Sequence, residues 1–197
     1  MPIRNAGTLG GNVANGSPIG DAMPGLIALS ARVVLRNSER SRMLPMEDLY
    51  VAYMQKAMQP DEVVEAVEVP WPSPAVQFCT YKVSKRYDSD ISAVCAAFAI
   101  HVERGTIVEA RVAFGGMAAT PKRASHTEAA LAGQPWTETT LRAARAALAT
   151  DYTPLTDMRA TAAYRMQVAQ NLLERFYLET RPGNPLPAAS VSVFATT

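Results

Sequence analysis

The chain has 197 residues, 48% of them hydrophobic, which suffices for one compact core or two small ones. With 19 Lys and Arg against 18 Asp and Glu, the formal charge is +1, so no strongly basic face is implied and nucleic acid is set aside as a partner. The 2 histidines exclude a multi-histidine metal site, and the 2 cysteines, Cys79 and Cys95, exclude an iron–sulfur cluster, a zinc ribbon or a C-x-x-C pair on this chain.

The opening Met-Pro-Ile-Arg is not followed by an apolar stretch, so no signal peptide is read there. No apolar run approaches the ~20 residues of a membrane span. The expectation is a soluble cytoplasmic protein without membrane contact, its two thiols free and buried. From Thr8 to Gly20 the chain is rich in Gly, Asn and Ser and reads as a polar loop. Asp21 is placed to cap a helix over 23–29, with Pro24 in its first turn. Val33 to Leu35 reads as a short strand, Met46 to Met54 as one or two helical turns, and Val63 to Val69 as a strand ending at Pro70. Pro70, Pro72 and Pro74 then form a stiff linker.

Beyond the linker a β-meander is predicted from Phe78–Val83, Ala93–Glu103 and Ile107–Phe114, with a turn at Arg104-Gly105. In its middle strand Val94, Ala96, Phe98, Ile100 and Val102 alternate onto one face, which is the face expected to be buried. Three helices follow, over 124–132, 137–150 and 157–179. In the last, Met166, Ala169, Leu173, Phe176 and Tyr177 form one apolar stripe. Residues 181–197 contain three prolines and no periodicity, and read as a loose tail.

The run Thr8-Leu-Gly-Gly-Asn-Val-Ala-Asn-Gly-Ser-Pro-Ile-Gly-Asp21 combines backbone N–H groups, short polar arms and one acid. Such a segment can wrap a flat or anionic ligand. It has neither Rossmann spacing nor a P-loop lysine. As a whole it resembles the T-[IL]-G-G-N-[IV]-x-x-x-S-P-x-x-D signature of flavin domains in the molybdenum hydroxylases, namely the xanthine dehydrogenases, aldehyde oxidases and carbon monoxide dehydrogenase flavoproteins. Tyr81-Lys-Val-Ser-Lys-Arg-Tyr-Asp-Ser-Asp-Ile91 is similar to the family's loop beside the flavin ring. Phe114 to Ala124 resembles its turn into the C-terminal helices, in the xanthine dehydrogenase form, and Asp157 to Met166 the start of its last helix.

The resemblance implies an α+β fold. Residues 1–72 would be the second half of a vanillyl-alcohol-oxidase-type (PCMH-type) FAD-binding domain. Residues 73–180 would be a CO-dehydrogenase-flavoprotein-type C-terminal domain with a three-stranded antiparallel sheet and three helices, and 181–197 the tail. It also implies FAD as cofactor, with electrons arriving from iron–sulfur clusters and leaving to NAD. Molybdopterin and the 2Fe-2S clusters would sit on partner regions, a molybdopterin-binding large subunit and an iron–sulfur domain, in an assembly of like or unlike chains. No catalytic residue and no metal ligand is assigned to this chain.

By the same resemblance Thr8, Gly10, Gly11 and Asn12 match positions that meet FAD phosphates and the ring edge, with Ser17 in the same wrap. Asp21 matches an acid on the adenosine ribose, Val64 an apolar position on the adenine side, and Lys82 a lysine that reaches the flavin ring. Arg86, with Asp88 and Asp90, matches a charged loop near the ring. Each residue also has a plainer reading: Thr8 and Asp21 as helix caps, Lys82 as a solvated strand residue, and Arg86, Asp88 and Asp90 as a solvated charge cluster. His101, His126 and both cysteines read as structural or surface residues.

The family's flavin domain has an earlier half with a second Gly-rich loop, and its small subunit has cysteine clusters upstream. The expectation is therefore a truncated chain that is nearly colourless when purified alone. Two other readings stand beside the flavin one: a docking module that binds no flavin, and the flavoprotein of a sibling aldehyde or carbon monoxide dehydrogenase. The turn Gly116 to Arg123 favours the xanthine dehydrogenase form by family analogy.

Overall fold

The computed structural model describes residues 6–86 and 90–191 and shows an α+β architecture. The first part contains helices α1 (Leu9–Asn15) and α2 (Ala22–Ala28). They pack with a three-stranded antiparallel sheet ordered β2-β1-β5, formed by β1 (Arg32–Arg36), β2 (Ser41–Pro45) and β5 (Val63–Glu68). Strand β1 alternates as a half-buried strand should, with Val33 and Leu35 inside and Arg32 and Arg36 outside. Val13, Met23, Ile27, Met46 and Leu49 close the core against them.

Two features of this part depart from the sequence reading. Strand β2 was not foreseen, because its polar Ser41 and Arg42 hide the alternation. It is held by pairing with β1 and by Arg42, which donates to both carboxylate oxygens of Glu62 at 2.6 and 2.7 Å. The helical turns expected over 46–54 are instead a 3-10 turn, Met46–Leu49, followed by the hairpin β3 (Tyr50–Ala52) and β4 (Gln55–Lys56). Pro45 leads into the 3-10 turn, Tyr50, Val51 and Tyr53 favour extended backbone, and Met54 turns the chain with φ +56°.

The second part is a sheet ordered β6-β7-β8-β9, with β6 (Val76–Ser84), β7 (Ser92–Glu103), β8 (Thr106–Gly115) and a two-residue β9 (Lys122–Arg123) added to the predicted meander. Helices α3 (Ser125–Leu131), α4 (Glu138–Asp151) and α5 (Ala162–Thr180) cover one face. The last helix begins later than expected. Asp157 accepts from the backbone of Arg159 and Ala160 in a turn, and Thr161 then caps α5 by accepting from Tyr164 N. A 3-10 turn, Ala188–Val191, lies within the expected tail, and residues 192–197 lie outside the described residues.

Only one face of β7 was expected to be buried, but both are. Val94, Ala96, Phe98 and Ile100 face the three helices, while Ala97 and Ala99 pack with Ala28 of α2. The small residues of the second face let the helix come close: a Cβ on Gly25 of α2 would stand 3.6 Å from the Thr80 methyl. Arg111 of β8 donates to the carbonyls of Ile27 at 2.7 Å and Ala28 at 3.2 Å, which places a cation at the C-terminal end of α2. Helix α2 thus joins the two sheets and brings the end of the Gly-rich segment onto the larger one. Among the described residues no helix is long and apolar enough to cross a membrane.

Candidate functional site

The Gly-rich segment expected as an open loop folds in part as a helix. Thr8 is the cap of α1, with extended backbone and its Oγ1 accepting from Gly11 N at 3.0 Å. Two glycines disfavour a helix by about 1 kcal/mol each. Tertiary contacts override this: Val13 is fully buried, the Tyr50 hydroxyl donates to its carbonyl at 3.2 Å, and Gly16 ends the helix with φ +69°. Thr8, Gly11 and Asn12 are exposed and Gly10 half-buried. A Cβ on Gly10 would stand 3.6 Å from the Val64 carbonyl oxygen and 3.7 Å from its Cγ1, so the backbone of α1 lies against β5 at Val64.

Asp21 heads α2 but makes no capping bond. Its carboxylate is used elsewhere. Oδ2 pairs with Lys82 Nζ of β6 at 2.5 Å, and Oδ1 accepts from the Ser92 hydroxyl at the start of β7. Lys82 also donates to the Asp90 carbonyl at 2.6 Å. The Cys95 thiol donates to the Asp21 carbonyl at 3.6 Å, and burial pushes that thiol up to about 12, so it stays protonated. The Asp21 and Lys82 side chains are each 38% exposed, so the pair adds little to stability, ~0–1 kcal/mol, and remains open to a ligand. Arg86 and Asp90 are exposed, and Asp88 lies outside the described residues.

Ser17 takes a different place. Its Oγ accepts from Ile19 N at 3.4 Å, and it lines a cleft of 430 Å³ together with Asn15, Tyr53, Gly116, Leu155 and Arg165. Arg165 is 3% exposed and holds one wall of this cleft: it donates to Asp157 at 2.7 Å, to the Gly116 carbonyl at 3.1 Å and to the Ala93 carbonyl. Gly116 is required there, because φ is +81° and a Cβ would meet the Ala93 carbonyl oxygen at 2.4 Å.

Burial pushes the Asp157 carboxyl up, but the N–H groups of Arg159 and Ala160 and the Arg165 guanidinium outweigh it and hold the group at about 2. A lowered folded value contributes stability above the ordinary 3.8 that is lost as pH falls toward about 2. The expected result is that Asp157→Asn melts below wild type at neutral pH and that the gap closes across this acid window. Parallel melting curves of the two proteins from neutral to acid pH would show instead that the pair is not coupled to folding.

With this geometry in place, the comparisons with known proteins are decisive. Residues 79–180 match the CO dehydrogenase flavoprotein C-terminal domain, and residues 1–72 match the FAD binding domain in molybdopterin dehydrogenase. The chain belongs to the molybdenum-hydroxylase flavoproteins. The flavoprotein is 36% identical over 182 residues to a nicotinate hydroxylase of Emericella nidulans, covering 89% of this chain and 14% of that one. It is 33% identical over 143 residues to xanthine dehydrogenase/oxidase of Gallus gallus, covering 71% and 10%. It superimposes with TM-score 0.83 and 29% identity on a carbon monoxide dehydrogenase structure from Hydrogenophaga pseudoflava, covering 88% of this chain and 60% of that one. The chain thus spans less than two thirds of each of these relatives.

FAD is the family's cofactor, and the side chains present fit it in kind. Beyond Leu9, the exposed edge of α1 offers small and polar groups at Gly11 and Asn12, the gap at Gly10 would be filled by a single methyl, and Asp21 and Lys82 supply one anion and one cation at the surface. The structure brings Gly10 to Val64 and Asp21 to Lys82, and sets Ser17 apart in the cleft. Sequence reasoning singled out neither Ser92 nor Arg165, and read Cys95 as structural, which its burial matches. None of the three stands out by spacing, since Ser92 and Cys95 sit in a run of small strand residues and Arg165 in an ordinary helical turn.

Proposed function

We propose that this flavoprotein is the flavin electron-transfer component of a molybdenum hydroxylase, most like a xanthine dehydrogenase, passing electrons from iron–sulfur clusters to NAD. The observation that carries the reading is the convergence of Asp21 and Lys82, 61 residues apart, into one exposed pair at the end of the Gly-rich segment. FAD, when bound, supplies the exchange of electrons between one-electron and two-electron partners. The chain's own part is to hold it. Thr8, Gly10, Gly11 and Asn12 give small groups and backbone around it, Val64 an apolar surface, and Ser17 lines the separate cleft beside Arg165. An ionised carboxylate has about four lone-pair sites, so Asp21 can keep Lys82 and Ser92 and still accept from ribose hydroxyls. The Lys82 ammonium stabilises negative charge placed near it, and Arg86 adds a second cation. The molybdenum cofactor and iron–sulfur clusters belong, in this reading, to partner regions in the cytoplasm, a compartment that suits two free cysteines.

The test uses the flavoprotein joined to an upstream half of the kind that the family resemblance implies. Asp21→Ala removes a charged acceptor worth roughly 1.5–3 kcal/mol, so FAD affinity should fall about tenfold to a hundredfold. Lys82→Ala should cut NAD reduction, while electron entry at molybdenum, followed with an artificial acceptor, persists in both variants. Full FAD occupancy and full NAD reduction in both would sink the reading. The oxidised substrate is a separate matter. The 36% identity to a nicotinate hydroxylase and the fold of a carbon monoxide dehydrogenase favour a sibling enzyme as the second reading, and turnover assays with xanthine, nicotinate and carbon monoxide separate them.

A further inference from the structure

Ser92 stands at the first position of β7 and is 1% exposed. A hydroxyl so buried needs a partner, and it has one: it donates to Oδ1 of Asp21, 71 residues away in sequence. The other carboxylate oxygen carries Lys82. The backbone of Asp21 is fixed as well, because its carbonyl accepts from the Cys95 thiol of the same strand. Strand β7 therefore grips Asp21 at two points, and Asp21 with the Asp90 carbonyl engages two of the three ammonium hydrogens of Lys82.

We propose that Ser92 is a positioning residue of this site: its buried hydroxyl sets the rotamer of Asp21, and Asp21 holds the Lys82 ammonium at one fixed point of the surface offered to the flavin. The last clause rests on the flavin reading above; the grip on Lys82 does not. A free lysine on a four-carbon stem samples many rotamers, and a cation that stabilises charge at a ligand must be fixed before the ligand arrives. Ser92 touches no ligand and acts through Asp21 alone. Without it, Oδ1 loses its donor, the carboxylate is free to turn, and Lys82 leaves with it for solvent.

The experiment needs no cofactor. The purified chain is treated with acetyl N-hydroxysuccinimide ester, and the acetylation rates of Lys82 and Lys122 are compared by peptide mapping. Lys122 is the internal reference, held by the Asp151 carbonyl away from this site. Ser92→Thr keeps the hydroxyl and Ser92→Val has the same shape without it, so any folding penalty of the added methyl cancels between them. The Lys82 to Lys122 ratio should rise about tenfold in Ser92→Val, the scale of one lost charge-assisted hydrogen bond. It should stay near wild type in Ser92→Thr and rise in the Asp21→Asn control. Equal ratios in the Thr and Val variants would overturn the proposal. If the ratios differ as stated but FAD affinity in the completed flavoprotein ignores Asp21, the flavin reading fails and the positioning of Lys82 stands.

Discussion

Phe98→Ala should destabilise the fold by roughly 3–5 kcal/mol, the range for truncating a core aromatic. Phe98 is fully buried in the middle of β7. Its ring stands 5.2 Å from Phe176 of α5, 5.7 Å edge-on from Phe114 of β8 and 5.9 Å from Tyr81 of β6. One side chain therefore links three strands of the sheet and the helix that covers it. The residues around it are held by their own strands and helix, so the space left would not collapse. Urea titration gives the value. A midpoint within error of wild type would mean that the sheet and helices are held together by something other than this aromatic cluster.

Phe98 was legible in the sequence because its neighbours alternate cleanly over 94–102, and the α5 stripe was legible because it is long. Other elements were not, for physical reasons. The second face of β7 carries Ala97 and Ala99, which are small enough to be read as exposed; what buries them is α2, contributed from more than 60 residues upstream. In the segment 46–54, Met46, Leu49, Tyr50 and Tyr53 happen to follow helical spacing, yet the chain turns at Met54 and pairs with itself in a hairpin. Local pattern and tertiary pairing conflict there, and pairing wins.

The site divides in the same way. Thr8 as a helix cap follows from residue type alone, and the structure places it there. The helix it caps did not follow, because the two glycines argue against it and the buried Val13 argues for it only once the sheet is known. Asp21 was read both as a cap and as a ligand acid. It makes no capping bond, and its carboxylate faces Lys82 and Ser92. Those contacts depend on the register of β6 against β7, where Lys82 stands opposite Cys95, and no spacing rule on the chain predicts that.

The central claim is that the backbone of α1 forms one wall of a flavin site, and Gly10→Ala tests it most directly. The added methyl would make ordinary contacts with Val64, at 3.6 and 3.7 Å, so the fold has room for it. Alanine also favours a helix over glycine by about 1 kcal/mol. The melting temperature should therefore stay level or rise. If the proposed flavin site includes the space between Gly10 and Val64, FAD would meet a methyl group there in place of bare backbone. In the flavoprotein joined to an upstream half of the kind that the family resemblance implies, FAD titrated against Gly10→Ala should bind about tenfold or more weaker than against wild type, a loss on the order of 1.4 kcal/mol. Weaker FAD binding together with an unchanged or raised melting temperature is the result the account predicts. Equal FAD affinity in the two proteins would contradict it and leave α1 as a helix that leads into α2 and nothing more.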